Sequence, residues 1–119
     1  MSFNLALMSR TEKRVLKLRA ETFLLLVKQL RHHQDEADIF EVDIDAMKVK
    51  GDLKVIRMNF PEKQFIARSG SLDLLKRAAS AGWEFLRIPK DLETDAEFTS
   101  LIKNRGTKLL IEEAQAVDL

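Results

Sequence analysis

The 119-residue sequence predicts a single α/β domain, 1–119, and three observations carry that expectation. Its C-terminal half runs twice through strand, capped helix, glycine and strand, the order of parallel right-handed crossovers. A central segment alternates apolar and acidic residues, Phe40, Val42 and Ile44 against Glu41, Asp43 and Asp45, as a half-buried strand does. The composition, 45% apolar and 33% charged, suffices for both a core and a soluble surface. An α+β arrangement is the alternative.

From the N-terminus, Phe3, Leu5 and Leu7 alternate as in a short strand. Ser9 and Glu12 have capping-box spacing, and Leu16, Ala20, Phe23, Val27 and Leu30 line one helical stripe. A second stripe of Val15, Leu18, Thr22 and Leu25 runs beside it. The expectation is a long N-terminal helix over about 10–33 with an unusually wide apolar face. That width suits a central packing helix or a homodimer interface through residues 15–30.

After the Phe40–Ile44 strand the alternation changes phase, because Met47 and Val49 are the next apolar positions. A period-2 pattern cannot change parity without an extra residue, so a bulge or break is expected near Asp45–Ala46. Gly51–Asp52 then reads as the two-residue loop of a β-hairpin joining Met47–Lys50 to Leu53–Met58, with Pro61 closing the second strand. Further on, Phe65–Arg68 is a strand and Ser71 caps a helix reaching Ala81. Gly82 stops that helix, Trp83–Ile88 is a strand with Trp83 in the core, and Pro89 ends it. Thr94 or Asp95 begins a helix to Asn104, Gly106 stops it, and Lys108–Glu112 is the last strand. Beyond Ala114 the chain frays or adds a helical turn. The expected architecture is thus a long helix, a hairpin and two strand–helix–strand crossovers on a mixed sheet.

Ser71–Ala79 before Gly82, the strand with Phe85, Leu86 and Ile88, Glu97–Phe98 opening a helix, and Arg105–Gly106 before Leu109–Ile111 form one further pattern. Residues 69–114 resemble the small α/β domain of large polyvalent proteins of mobile elements, often found beside relaxases. The resemblance implies an accessory role and carries over no catalytic residues.

Composition excludes several chemistries. Cysteine and tyrosine are absent, which removes disulfides, thiolate nucleophiles and cysteine-based zinc sites. The longest unbroken apolar run, Phe23–Val27, is too short to span a membrane, and no secretory leader is expected, so the setting is cytoplasmic. No glycine-rich elbow surrounds any serine, and no catalytic residues, metal or cofactor are expected.

The net charge is only +1, yet charge is segregated. Residues 1–33 hold seven Lys or Arg against two acids, while residues 91–119 hold three against seven. Arg10, Lys13, Arg14 and Lys17 share one flank of the expected helix, and Lys48, Lys50 and Arg57 share one face of the expected hairpin. These two patches are the candidate contacts for nucleic acid or another polyanion. Ser69, Gly70 and Ser71, between a strand and a helix, are a candidate anion cradle against the competing reading of simple capping. His32 and His33 lie near Asp35, Glu36 and Asp38, but adjacent histidines diverge on a helix, and a solvated helix end is the better reading. Glu41, Asp43 and Asp45 could face a hard cation or serve as a solvated row.

The functional expectation is a small non-enzymatic binding or regulatory module of a mobile element, acting through a protein partner and potentially nucleic acid. A dimeric protein adaptor is the alternative, and an anion-binding, nucleotide-binding or enzymatic domain is the third.

Overall fold

The computed structural model describes residues 13–48 and 51–112. The chain alternates strand and helix throughout: β1 Val15–Leu18, α1 Phe23–His33, β2 Ile39–Asp43, α2 Leu53–Asn59, β3 Gln64–Arg68, α3 Leu72–Ser80, β4 Phe85–Pro89, α4 Ala96–Arg105 and β5 Lys108–Glu112. A 3-10 turn, Ile44–Ala46, follows β2. The five strands pair in sequence order, and every pairing is parallel.

The elements expected after residue 64 are present. Ser71 Oγ accepts from the Leu74 N–H at 3.3 Å, and Asp95 Oδ1 accepts from the Phe98 N–H at 2.8 Å, so both helices start at side-chain caps. Gly106 ends α4 in the left-handed region, φ 70°, where a Cβ would be strained.

The N-terminal half corrects the sequence reading at three places. The long helix over 10–33 is a strand followed by a shorter helix. Val15 and Lys17 alternate with Leu16 and Leu18 along β1, and the helix cap is Thr22, whose Oγ1 accepts from the Leu25 N–H at 3.1 Å. Two elements read as one account for the apparent width of the apolar face. Residues 15–30 are therefore no continuous helical dimer face. The expected hairpin is absent as well. Leu53 and Ile56 are buried at helical spacing in α2 while Val55 and Met58 are exposed, and Asp52 caps this helix by accepting from the Lys54 N–H at 2.9 Å. Gly51 passes so close to the Phe23 ring that an added Cβ would lie 2.5 Å from it. The mixed sheet is wholly parallel, since without a hairpin every connection is a crossover. The break expected at Asp45–Ala46 is real. The 3-10 turn changes the phase, and Ile44 and Met47 are both buried. The Phe3–Leu7 strand and the end beyond Ala114 lie outside the described residues.

Register assigns the two faces of the sheet. Leu18, Val42, Ala67 and Leu86 align across four strands, and Leu16, Phe40 and Phe65 align across three. These positions pack with Leu26, Leu30, Ile56, Leu75, Ala78, Ala79 and Phe98 of the helices in one core, so the helices cover a single face. Trp83 is in that core, as expected, 5.2 Å from the Phe65 ring, with Nε1 donating to the Leu53 carbonyl at 3.0 Å. Among the described residues no helix is long and apolar enough to cross a membrane.

Candidate anion-binding site

Parallel sheets are usually covered on both faces and read as continuous apolar strands. Here the face opposite the helices carries charge. One row across it reads Lys17, Glu41, Ile66, Phe85 and Lys108, and the next reads Asp43, Arg68, Arg87 and Leu110. Strand alternation puts them there. Phe40, Val42, Phe65, Ala67, Leu86 and Ile88 point into the core, so each residue between them must face the other way.

Arg68 and Arg87 are directly opposed on neighbouring strands, which is repulsive unless each finds a carboxylate. Each reaches across one strand to do so. Arg87 Nε donates to both oxygens of Glu41 at 3.1 Å, and its terminal nitrogen lies 3.0 Å from Glu41 Oε1. Glu41 is only 3% exposed, and this forked pairing compensates its burial. Arg68 forms the second fork, donating to Glu112 at 2.6 and 3.1 Å, with Asp43 Oδ2 at 3.6 Å. The hydrogen bond to Glu112 holds the Arg68 pKa above its ordinary value, so this guanidinium stays charged. Asp43 Oδ1 is buried with no hydrogen-bond partner among the described residues.

These groups line a cavity of about 620 Å³ with Lys17, Arg19 and Ile111. Arg68, Arg87 and Glu112 place it toward the C-terminal ends of the strands, where parallel α/β folds bind ligands. Lys17 and Arg19 are exposed and have no ion-pair partner among the described residues, unlike the two forked arginines. The site therefore has a rigid charged floor and two available cations at the β1 side.

The other predicted contacts are dispersed. Lys13 donates to Gln64 Oε1 at 3.2 Å, and Arg14 lies 3.8 Å from Asp38. Arg57 sits on α2, bonded to the Phe60 and Pro61 carbonyls and 3.1 Å from Glu84. Lys48 follows the 3-10 turn, its N–H on the Glu21 carbonyl at 2.8 Å. Arg10 and Lys50 lie outside the described residues. The shared helix flank and hairpin face are replaced by this scatter, and of the described members only Lys17 lines the cavity.

The Ser69–Gly70–Ser71 cradle holds an internal anion. Ser69 Oγ donates to Asp45 Oδ1 at 2.6 Å and the Gly70 N–H donates to Asp45 Oδ2 at 2.8 Å, while the Ser71 N–H donates to Ser69 Oγ at 2.9 Å. Asp45 is thus diverted from the row it was expected to share with Glu41 and Asp43. His33 pairs with Glu36 at 2.7 Å, and no group of three or more potential metal ligands occurs among the described residues. Sequence reasoning missed Arg19, Arg87 and Glu112 as members of this site. The available signal was a charged residue inside an otherwise apolar strand, as in Phe85–Pro89.

No family model matches the chain, and no curated protein matches it. Among solved structures it is similar to the structure of Mycobacterium tuberculosis Rv1207, with a TM-score of 0.57 and 15% identity over 87% of this chain. The chain spans 46% of that one, and at this identity the likeness is one of fold.

Proposed function

We propose that this chain binds a small organic anion, a metabolite bearing a carboxylate or phosphate, on the open face of its sheet. The observation that carries the reading is the pair of cations, Lys17 and Arg19, which have no ion-pair partner among the described residues and face a cavity whose two arginines are already locked in forks. An entering anion needs no rearrangement of Arg68 or Arg87, and Lys17 and Arg19 gain the charge-assisted partners they lack. The activity proposed is binding. It puts the anion-binding reading ahead of nucleic acid, since the described cations meant for a polyanion are dispersed over several elements. The accessory role implied by the mobile-element resemblance is compatible with a module that senses such a ligand.

Calorimetric titration with inorganic phosphate, malonate and citrate tests this at low salt. At least one should bind saturably, and Lys17→Ala with Arg19→Ala should weaken it by about 10-fold or more, as expected for losing a charge-assisted hydrogen bond. The melting temperature without ligand should stay unchanged, because both residues are exposed. Absence of binding by all three anions, or binding indifferent to the double variant, would refute the reading.

A further inference from the structure

The helix layer carries a second cavity, of about 490 Å³, lined by none of the residues of the open-face site. Three helices wall it: Asp52 and Lys54 at the start of α2, Lys76, Arg77 and Ser80 toward the end of α3, and Arg105 at the end of α4. Ser80 stands shortly before β4 and Arg105 shortly before β5, so this cavity sits toward the strand starts, whereas the first lies toward the strand ends.

Four bases and one acid line the cavity. Lys76 is committed, since it donates to Glu97 at 2.6 Å and to Asp95 at 2.9 Å. Lys54, Arg77 and Arg105 are exposed, and their side chains have no ion pair or hydrogen bond among the described residues. The acid, Asp52, caps α2 by accepting from the Lys54 N–H at 2.9 Å. Carbonyls at the end of α3 would repel an anion if they were free. They are occupied, because the Arg77, Ala78 and Ala79 carbonyls accept from the Ala81, Trp83 and Gly82 N–H groups. Arg77 and Arg105 each stand in the last turn of a helix, where positive charge complements the dipole. That accounts for each charge singly but not for both sharing one cavity with Lys54.

We propose that this cavity holds a chain of two or more linked phosphates, as in a di- or triphosphate group. Three cations on three separate helices suit an anion charged at more than one point along its length. Two of them are guanidinium forks that match phosphate oxygens bidentately, and the third is an ammonium that serves as a point charge. The Ser80 hydroxyl adds a neutral donor. No aromatic side chain lines the cavity among the described residues, so nothing there stacks on a base and recognition stops at the phosphates.

Calorimetric titration of the full chain with sodium tripolyphosphate at low salt tests the proposal. Binding should be saturable, and Arg77→Gln with Arg105→Gln should weaken it by about 10-fold or more, as expected for losing charge-assisted hydrogen bonds. Far-UV circular dichroism should be unchanged, because both residues are exposed and glutamine is a comparable helix former. Lys17→Ala with Arg19→Ala should leave tripolyphosphate binding in place, so this site and the open-face site stand or fall separately. ATP should bind no more tightly than tripolyphosphate. If the glutamine double variant loses its helical signal, Lys54→Gln decides by the same weakening. Absence of tripolyphosphate binding overturns the proposal, as does binding that is indifferent to the α3 and α4 variants. Binding abolished by Lys17→Ala with Arg19→Ala overturns it by assigning the ligand to the open face. A single-stranded oligonucleotide that binds where tripolyphosphate does not overturns it too.

Discussion

Replacing Arg87 by methionine isolates the most consequential interaction on the open face. Glu41 is 3% exposed, and its two oxygens both accept from Arg87 Nε at 3.1 Å. Methionine keeps much of the volume and removes the charge, leaving a buried carboxylate without its fork. Breaking a buried pair from one side costs about 3–5 kcal/mol. The Arg87 side chain is 29% exposed, so water recovers part of that cost and the lower end, about 3 kcal/mol, applies. With a urea m-value of about 1–3 kcal/mol/M, the midpoint should fall by on the order of 1–3 M. The double variant Glu41→Met with Arg87→Met removes both charges and should recover most of the loss, because the penalty belongs to the orphaned carboxylate and not to the absent attraction. Equilibrium urea unfolding of the wild type, both single variants and the double variant near neutral pH measures the cycle. A loss below about 1 kcal/mol in Arg87→Met would mean that Glu41 is solvated in solution, and the closed floor of the site would fall with it. A double variant as unstable as the single one would refute the orphaned-charge argument.

Two further outcomes follow from the core and the caps. Leu26→Ala empties a fully buried site between α1 and the sheet and should cost about 2–5 kcal/mol by denaturant unfolding, with a midpoint independent of protein concentration if the loss is within one copy's core. Asp95 caps α4, and the Phe98 N–H, followed by Lys76, holds its pKa below the usual carboxylate value of 3.8. A depressed pKa stabilises the fold above the unfolded value and ceases to do so as pH falls through the folded one. Asp95→Asn retains a capping oxygen, so its melting temperature should lose less than the wild type's below about pH 4, checked by thermal melts from neutral to acid pH.

The distribution of these features along the chain explains which were legible beforehand. The C-terminal crossovers were readable because their signals are local. Ser71 and Asp95 each bond an N–H three residues on, and Gly106 stops its helix by its own backbone conformation. The phase change after Ile44 was readable for the same reason, as strand parity is a property of adjacent residues. Val15–Leu30 misled because ten apolar residues among sixteen satisfy the 3.6-residue and the 2-residue period at once. The Gly51–Asp52 pair misled because a glycine before a helix cap looks like a hairpin turn until the Phe23 ring is placed against it.

The amino-acid sequence by itself determined the α/β class, the alternation of elements after residue 64 and the burial of Trp83, each through capping, periodicity or composition acting within a few residues. Only the tertiary structure decided that all five strands run parallel and that Glu41 meets Arg87 and Arg68 meets Glu112. Those pairs are 46 and 44 residues apart, and both depend on the register between strands. Register is set when a single helix layer covers one face of the sheet. The charges on the other face are then brought together as its consequence, through contacts that no spacing in the chain encodes.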